Sequence, residues 1–179
     1  MKKQTIVPPE AIALFVSQAK RGDREALESL YRHFAWPMRR FALARVNDPM
    51  IAEDVVQNVW LKVEKRLHRL NDLTLFQSWL YRALKWEILD WAKSAESQSH
   101  KAQEPLQDNS LQMISLPPLL AALPESESEV VELVYLNGLT IEQAALVINI
   151  PPGTIKSRLY RARERLRAIL NEECTHETG

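Results

Sequence analysis

Apolar residues recur at intervals of three and four along most of this chain, the spacing of helices rather than strands. The clearest stripe is Ala52, Val55, Val56, Val59, Val63 and Leu67, which predicts a helix over about Met50 to Arg69. Upstream, Asp23 is suited to cap a helix that runs to about His33 and puts Ala26, Leu27, Leu30 and Phe34 on one face. Pro37 then opens a second helix to about Val46, and Asn47-Asp48-Pro49 reads as a turn and a new helix start. A fourth helix is predicted from about Leu75 to Ser94, with Phe76, Leu80, Leu84, Ile88 and Trp91 sharing a core face.

The periodicity then stops. Residues 96–118 are polar and end in two prolines, so they read as a flexible or extended linker. Residues 1–95 and 119–179 are therefore expected to be two separate domains. In the second, a short helix from about Leu119 is stopped by Pro124, and another from about Ser126 ends at Asn137-Gly138, a glycine stop. Thr140, with Gln143 three residues on, forms a capping box for a short helix that ends near Asn149. A last helix runs from about Pro152 to Asn171, with Ile155, Leu159, Ala162 and Leu166 on its buried side. The expected fold is all-α, with two small helical domains: an N-terminal bundle and a C-terminal helix-turn-helix.

Composition agrees with that class. The chain has 179 residues, 46% of them hydrophobic, with only 4 glycines. Its single cysteine, Cys174, permits no internal disulfide. No apolar run approaches the ~20 residues that span a bilayer, and Glu10 with nearby prolines breaks any signal-peptide core. A cytoplasmic location is expected.

Charge changes the picture more. The formal net charge is zero, yet all 6 basic residues after position 117 fall between Lys156 and Arg167, where only Glu164 opposes them. A local basic patch is an electrostatic footprint whatever the total. Ser157 and Arg161 are expected to project opposite the buried side of the last helix, with Thr154, Lys156, Arg158 and Tyr160 on its flanks. Such residues suit a major groove: arginine reads guanine edges, and hydroxyls and the helix's N-terminal amides hold phosphates. Arg163, Arg165 and Arg167 either contact phosphates or solvate the helix end, where they also favour its negative dipole pole. A basic helix alone is commonly just a solvated surface; the capped helix and tight turn before it favour DNA.

The segment LPESESEVVELVYLNGLTIEQAALVINIPPGTIKSRLYRARERLR resembles the C-terminal promoter-binding domain of bacterial RNA polymerase sigma factors of the extracytoplasmic-function class. The match lies in Leu123-Pro124, Gly138-Leu139-Thr140 and Pro151 to Arg158. The resemblance implies binding to the minus-thirty-five promoter element.

AEDVVQNVWLKVEKRL, from Ala52 to Leu67, is similar to the helix of that family that docks on the polymerase clamp, with Asp54 and Gln57 in its Asp-x-x-Gln core. Asp54, Gln57, Asn58, Leu61 and Lys65 fall outside the valine stripe. A polar edge carrying one leucine suits either a protein interface or plain solvation. The family usually has an acid where Asn58 stands. LFQSWLYRALKWEILDWAKS, from Leu75 to Ser94, resembles the promoter-melting helix. Trp79, Arg82, Lys85, Trp86 and Lys93 offer ring faces for unstacked bases and charges for phosphates, although Trp79 also suits packing against neighbouring helices. Trp86 replaces the small polar residue of many relatives. The loop from His68 to Leu75 corresponds to the one that captures a flipped base of the minus-ten element, through Asn71, Asp72 or Thr74.

The implied partners are core RNA polymerase, through its clamp and flap, promoter DNA, and an anti-sigma factor. An ordinary helix-turn-helix regulator independent of polymerase is the alternative; it would need no clamp-binding helix. An enzyme is disfavoured: the 4 histidines are scattered and no phosphate loop or nucleophile signature occurs. No cofactor is expected and no metal either, since Cys174 and His176 alone are too few ligands.

Overall fold

In a computed structural model the chain divides into two compact units, Met1–Glu104 and Pro105–Gly179. The structure describes residues 8–98 and 118–176, and every element among them is helical. Most of the predicted linker, residues 99–117, lies outside the described residues.

The first unit holds four helices: α1 (Pro9–Lys20), α2 (Arg24–Val46), α3 (Pro49–Arg66) and α4 (Phe76–Gln98). The sequence pattern predicts no helix over the residues of α1. Proline at its first position has no N–H to lose and a φ already suited to helix, and Val16 is fully buried. Asp23 caps α2 as expected, accepting from the N–H groups of Glu25 and Ala26. Asn47 takes a left-handed conformation at φ 52° and ends that helix, and Asp48 caps α3 through the N–H groups of Met50 and Ile51.

The break predicted between His33 and Pro37 is absent, and α2 runs through the proline. An internal proline costs roughly 3 kcal/mol, because the carbonyl four residues earlier loses its donor. Leu30, Phe34, Met38 and Phe41, on both sides of it, are at most 2% exposed. Burying each such side chain contributes about 1.5–3 kcal/mol, so one continuous face outweighs the local penalty. That face meets Val56, Val59 and Val63 of α3 and Phe76, Leu80, Tyr81 and Leu84 of α4, all buried. Phe34 meets Phe76, and Phe41 meets Tyr81, edge to face with centroids 5.8 and 5.6 Å apart. Two predicted core residues sit nearer the surface: Leu27 and Trp91 are half-buried.

The stretch between α3 and α4 carries short 3-10 turns at Leu67–Arg69 and Leu73–Leu75. Helix α3 therefore stops at Arg66, three residues before the expected end. Lys20 of α1 donates to the carbonyl of Leu70, which pins this loop to the bundle.

The second unit contains α5 (Pro118–Ala121), α6 (Glu125–Val131), α7 (Ile141–Ile148) and α8 (Pro152–His176). Helix α6 continues into a π-helical turn over Glu132–Leu136, closed by the Asn137 N–H on the Glu132 carbonyl at 2.9 Å. Gly138, at φ 70°, then reverses the chain, and the Leu139 N–H reaches back to the Leu133 carbonyl at 3.0 Å. The core is Leu120, Leu123, Val130, Leu133, Leu139, Ala144, Val147, Ile155, Leu159 and Ala162. No helix among the described residues is long and apolar enough to cross a membrane.

Candidate functional site

The chemistry suggested by the sequence gathers on three surfaces. The first is the α7–α8 unit. Thr140 Oγ1 accepts from the Gln143 N–H at 3.1 Å, and Gln143 Oε1 accepts from the Thr140 N–H at 3.0 Å, so the predicted capping box is complete. Asn149, left-handed at φ 62°, ends α7. The Pro151 carbonyl accepts from the N–H groups of Thr154 and Ile155, and three residues separate α7 from α8. Ala144 and Ala145 are buried at the crossing, where small side chains allow close approach.

Ile155, Leu159 and Ala162 are at most 2% exposed, which fixes the roll of α8. Leu166, expected on the same stripe, is only half-buried. Lys156, Ser157, Tyr160, Arg161, Arg163 and Arg165 are exposed, and Thr154 and Arg158 are half-buried. At 100° per residue, Ser157 lies almost opposite the buried stripe, with Tyr160 and Arg161 about equally far from it on either side. Ser157 Oγ donates to the Thr154 carbonyl at 3.0 Å and keeps its lone pairs outward.

Arg161 is exposed on the side away from the stripe, and its side chain also reaches toward α6, with Nε 3.7 Å from Oε1 of Glu127. Arg165, one turn on, has Nε 3.0 Å from Oε2 of the same carboxylate, a close ion pair without hydrogen-bond alignment. Nothing in the sequence singled out Glu127, or Glu132, which is buried as well: in an acidic run, a glutamate that faces inward looks like its neighbours.

The second surface is a groove of ≈ 460 Å³ between α3 and α4. Trp79, Arg82 and Trp86 line it from α4, and Lys62 and Arg66 from α3. Trp86 is 54% exposed. Trp79 is half-buried and leans on Phe76 with centroids 6.2 Å apart, so it packs on the bundle and lines the groove at once. Lys85 and Lys93 are not part of the lining. Lys62 and Arg66 were missed because the sequence treats α3 by itself; their four-residue spacing on its outer side is the one signal. Lys62 pairs with Glu87 across the groove.

In the nearby loop Asn71, Asp72 and Thr74 are all exposed. Asp72 Oδ1 accepts from Thr74 Oγ1 at 2.6 Å and from the Thr74 N–H at 2.9 Å. The hydroxyl bond first, and then the backbone bond, hold the Asp72 carboxyl below its ordinary value. Asp72 and Thr74 are thus engaged with each other, whereas among the described residues the Asn71 amide makes no such bond.

The third surface is the outer side of α3. Asp54, Gln57, Asn58, Leu61 and Lys65 are all exposed there. Gln57 and Leu61 also line a groove of ≈ 540 Å³, together with Trp60, Glu64 and, from α2, Leu27 and Tyr31. The α2 side was not foreseen, since Leu27 reads from sequence as core. No group of three His, Cys, Asp or Glu that could hold a metal occurs among the described residues.

Comparison with known proteins places both units. Residues 30–98 match the family model "Sigma-70 region 2" and residues 115–166 match "Sigma-70, region 4". The chain is 27% identical over 158 residues to RNA polymerase sigma factor SigZ of Bacillus subtilis, covering 84% of this chain and 89% of that protein. It is 28% identical over 169 residues to ECF RNA polymerase sigma factor SigL of Mycobacterium tuberculosis, covering 88% and 96%. Among solved structures, CnrH in complex with the cytosolic domain of CnrY gives a TM-score of 0.64 at 21% identity, over 90% of this chain and 98% of that one. Sigma factor RpoE in complex with the anti-sigma factor NepR from Bartonella quintana gives 0.60 at 25%, over 80% and 98%.

Proposed function

Because the chain belongs to the sigma-70 family of RNA polymerase sigma factors, in its extracytoplasmic-function class, we propose that it acts in the cytoplasm as an alternative sigma factor. It binds core RNA polymerase and directs initiation at a particular set of promoters. It performs no catalysis of its own; the polymerase supplies the chemistry.

Each surface takes one role in this reading. The observation that carries it is the coexistence, in one chain and in the family's order, of a capped helix-turn-helix with a basic exposed face and a separate bundle with an exposed edge on α3. A regulator independent of polymerase needs only the first. Residues 119–179 read the minus-thirty-five element, with Lys156, Ser157, Tyr160 and Arg161 of α8 in the major groove and Arg163 and Arg165 nearer the phosphates. Residues 1–95 bind polymerase through Asp54, Gln57, Asn58, Leu61 and Lys65 and handle the minus-ten element through the α3–α4 groove. Trp86 of the groove offers a ring face to the unpaired strand, and Asn71 of the loop between α3 and α4 meets an extruded base by hydrogen bonds. An anti-sigma factor that covers the polymerase-facing edge would hold the protein inactive.

The test is dependence on core enzyme. Purified chain and labelled promoter fragments from the same genome are incubated with and without core polymerase. Retention and strand opening should require both proteins. Tight, selective retention by the chain alone would favour the polymerase-independent regulator.

A further inference from the structure

Helices α6 and α8 pack against each other in the second unit, and one charged side chain is enclosed between them. Glu127, in the first turn of α6, leaves only 5% of its side chain exposed. A buried carboxylate is costly unless cations meet it. The amino-terminal end of α6 supplies part of the compensation through the helix dipole. The rest comes from α8: Arg165 Nε at 3.0 Å and Arg161 Nε at 3.7 Å.

The two arginines are themselves 56% and 57% exposed. Each guanidinium therefore has its inner edge, at Nε, turned to the carboxylate and its outer part in solvent. No hydrogen bond among the described residues engages the outer Nη groups. An arginine held by Nε has its remaining donors aimed end-on, in the fork that matches guanine N7 and O6 or two phosphate oxygens. An arginine without such an anchor samples many rotamers and meets the backbone as readily as a base.

We infer that Glu127 is a positioning residue for DNA recognition: by holding Arg161 and Arg165 at Nε, it presents their Nη groups in fixed directions at the face of α8. This rests on the reading of α8 as the groove-binding helix. Glu127 exchanges affinity for selectivity, because its one negative charge opposes the two positive ones that DNA would otherwise meet in full. Removing that charge without changing shape should therefore move two quantities in opposite directions. Discrimination at the base pair read by Arg161 should fall, and attraction to any DNA should rise. A purely structural glutamate would lower both together.

The experiment uses holoenzyme assembled from core polymerase and the full chain, bound to a library of upstream elements over a series of salt concentrations. The variants are Glu127→Gln, Glu127→Met, Arg161→Ala and Arg165→Ala, each with its thermal unfolding measured. Glu127→Gln should reduce discrimination at the Arg161-dependent base pair by about threefold or more. It should also bind non-cognate DNA more tightly, with a salt slope steeper by up to about one phosphate contact. Glu127→Met, of similar length but apolar, gives the same comparison if the buried amide disturbs folding. Wild-type discrimination and slope in both Glu127 variants would overturn the inference, as would losses of selectivity and affinity that simply follow thermal stability. If neither arginine variant alters binding at all, the reading of α8 itself fails and takes the inference with it.

Discussion

The rings of Tyr31 and Trp60 meet edge to face, 5.3 Å between centroids, and join the outer sides of α2 and α3. Trp60 is buried and Tyr31 half-buried, so the pair forms the floor of a groove whose rim includes Gln57 and the 56% exposed Leu61. An apolar floor with a polar rim is the anatomy of a protein interface.

Core binding should therefore be lost by changes at the rim that leave the bundle intact. Leu61→Asp, or Asp54→Lys combined with Gln57→Ala, should weaken affinity for core polymerase about tenfold or more. Far-ultraviolet circular dichroism should stay unchanged, because all three side chains are exposed and make no core contact. Fluorescence titration of labelled chain with core enzyme reads the affinity. Unchanged binding in both variants would remove this side of α3 from the interface.

Trp86 should act after recognition rather than during it. A base stacked on an aromatic ring contributes about 1–3 kcal/mol, so Trp86→Ala should reduce the fraction of open complex roughly 5- to 100-fold. Binding to the closed duplex should change little. Permanganate footprinting separates the two states. A pre-melted bubble template should restore Trp86→Ala less fully than it restores a variant defective only in duplex opening.

Arg161 and Arg163 should differ in kind. Arg161 is tied to Glu127, whereas Arg163 is exposed and pairs with no carboxylate among the described residues. Arg161→Ala should relax choice at one base pair of the upstream element, at a cost of about 1–3 kcal/mol. Arg163→Ala should weaken all sequences alike and reduce the salt slope by about one contact. Transcription from a library of mutated upstream elements, repeated at two salt concentrations, distinguishes them. Identical behaviour of the two variants would mean that α8 lies in the groove at a different roll.

The stability of the bundle should depend on His33. Burial holds its imidazole below the ordinary histidine value, and its ring stands against Phe34 with centroids 4.7 Å apart. The unfolded chain therefore takes up this proton more readily than the folded one. The contribution is fully present above the ordinary value of 6.5 and is lost as pH falls below it toward the lowered folded value. Thermal unfolding at pH 7.5 and 5.5 should show a smaller drop for His33→Gln than for the native chain. An equal drop in both would place the sensitivity elsewhere.

What the sequence made legible was mostly local. The caps at Asp23 and Thr140, the helix start after Asn47-Asp48-Pro49, the glycine stop at Gly138 and the Ile155, Leu159 and Ala162 stripe of α8 all follow from the chemistry of neighbouring residues, and the structure contains them. What it did not make legible depended on partners distant in sequence. Pro37 looks like a break until the core face on both sides of it is seen to be continuous. Leu27 and Trp91 carry core-like spacing yet stop at the rim, because no element among the described residues covers them fully. Lys62 and Arg66 join Trp79 and Trp86 only when α3 is laid against α4. The direction of Arg161 is set by a glutamate 34 residues earlier, which no periodicity within α8 reveals.

The central claim is that this chain confers promoter selectivity on core polymerase. Run-off transcription tests it most directly. Core enzyme, freed of other sigma factors, is mixed with the chain and sheared DNA from the same genome, and the start sites are mapped. The account predicts transcripts that require the chain and begin downstream of a shared pair of elements. It further predicts that Arg161→Ala shifts the preference at the upstream element while the Leu61→Asp variant yields much less transcript when the chain is limiting. Transcription equal with and without the chain, or start sites that share no upstream element, would contradict it.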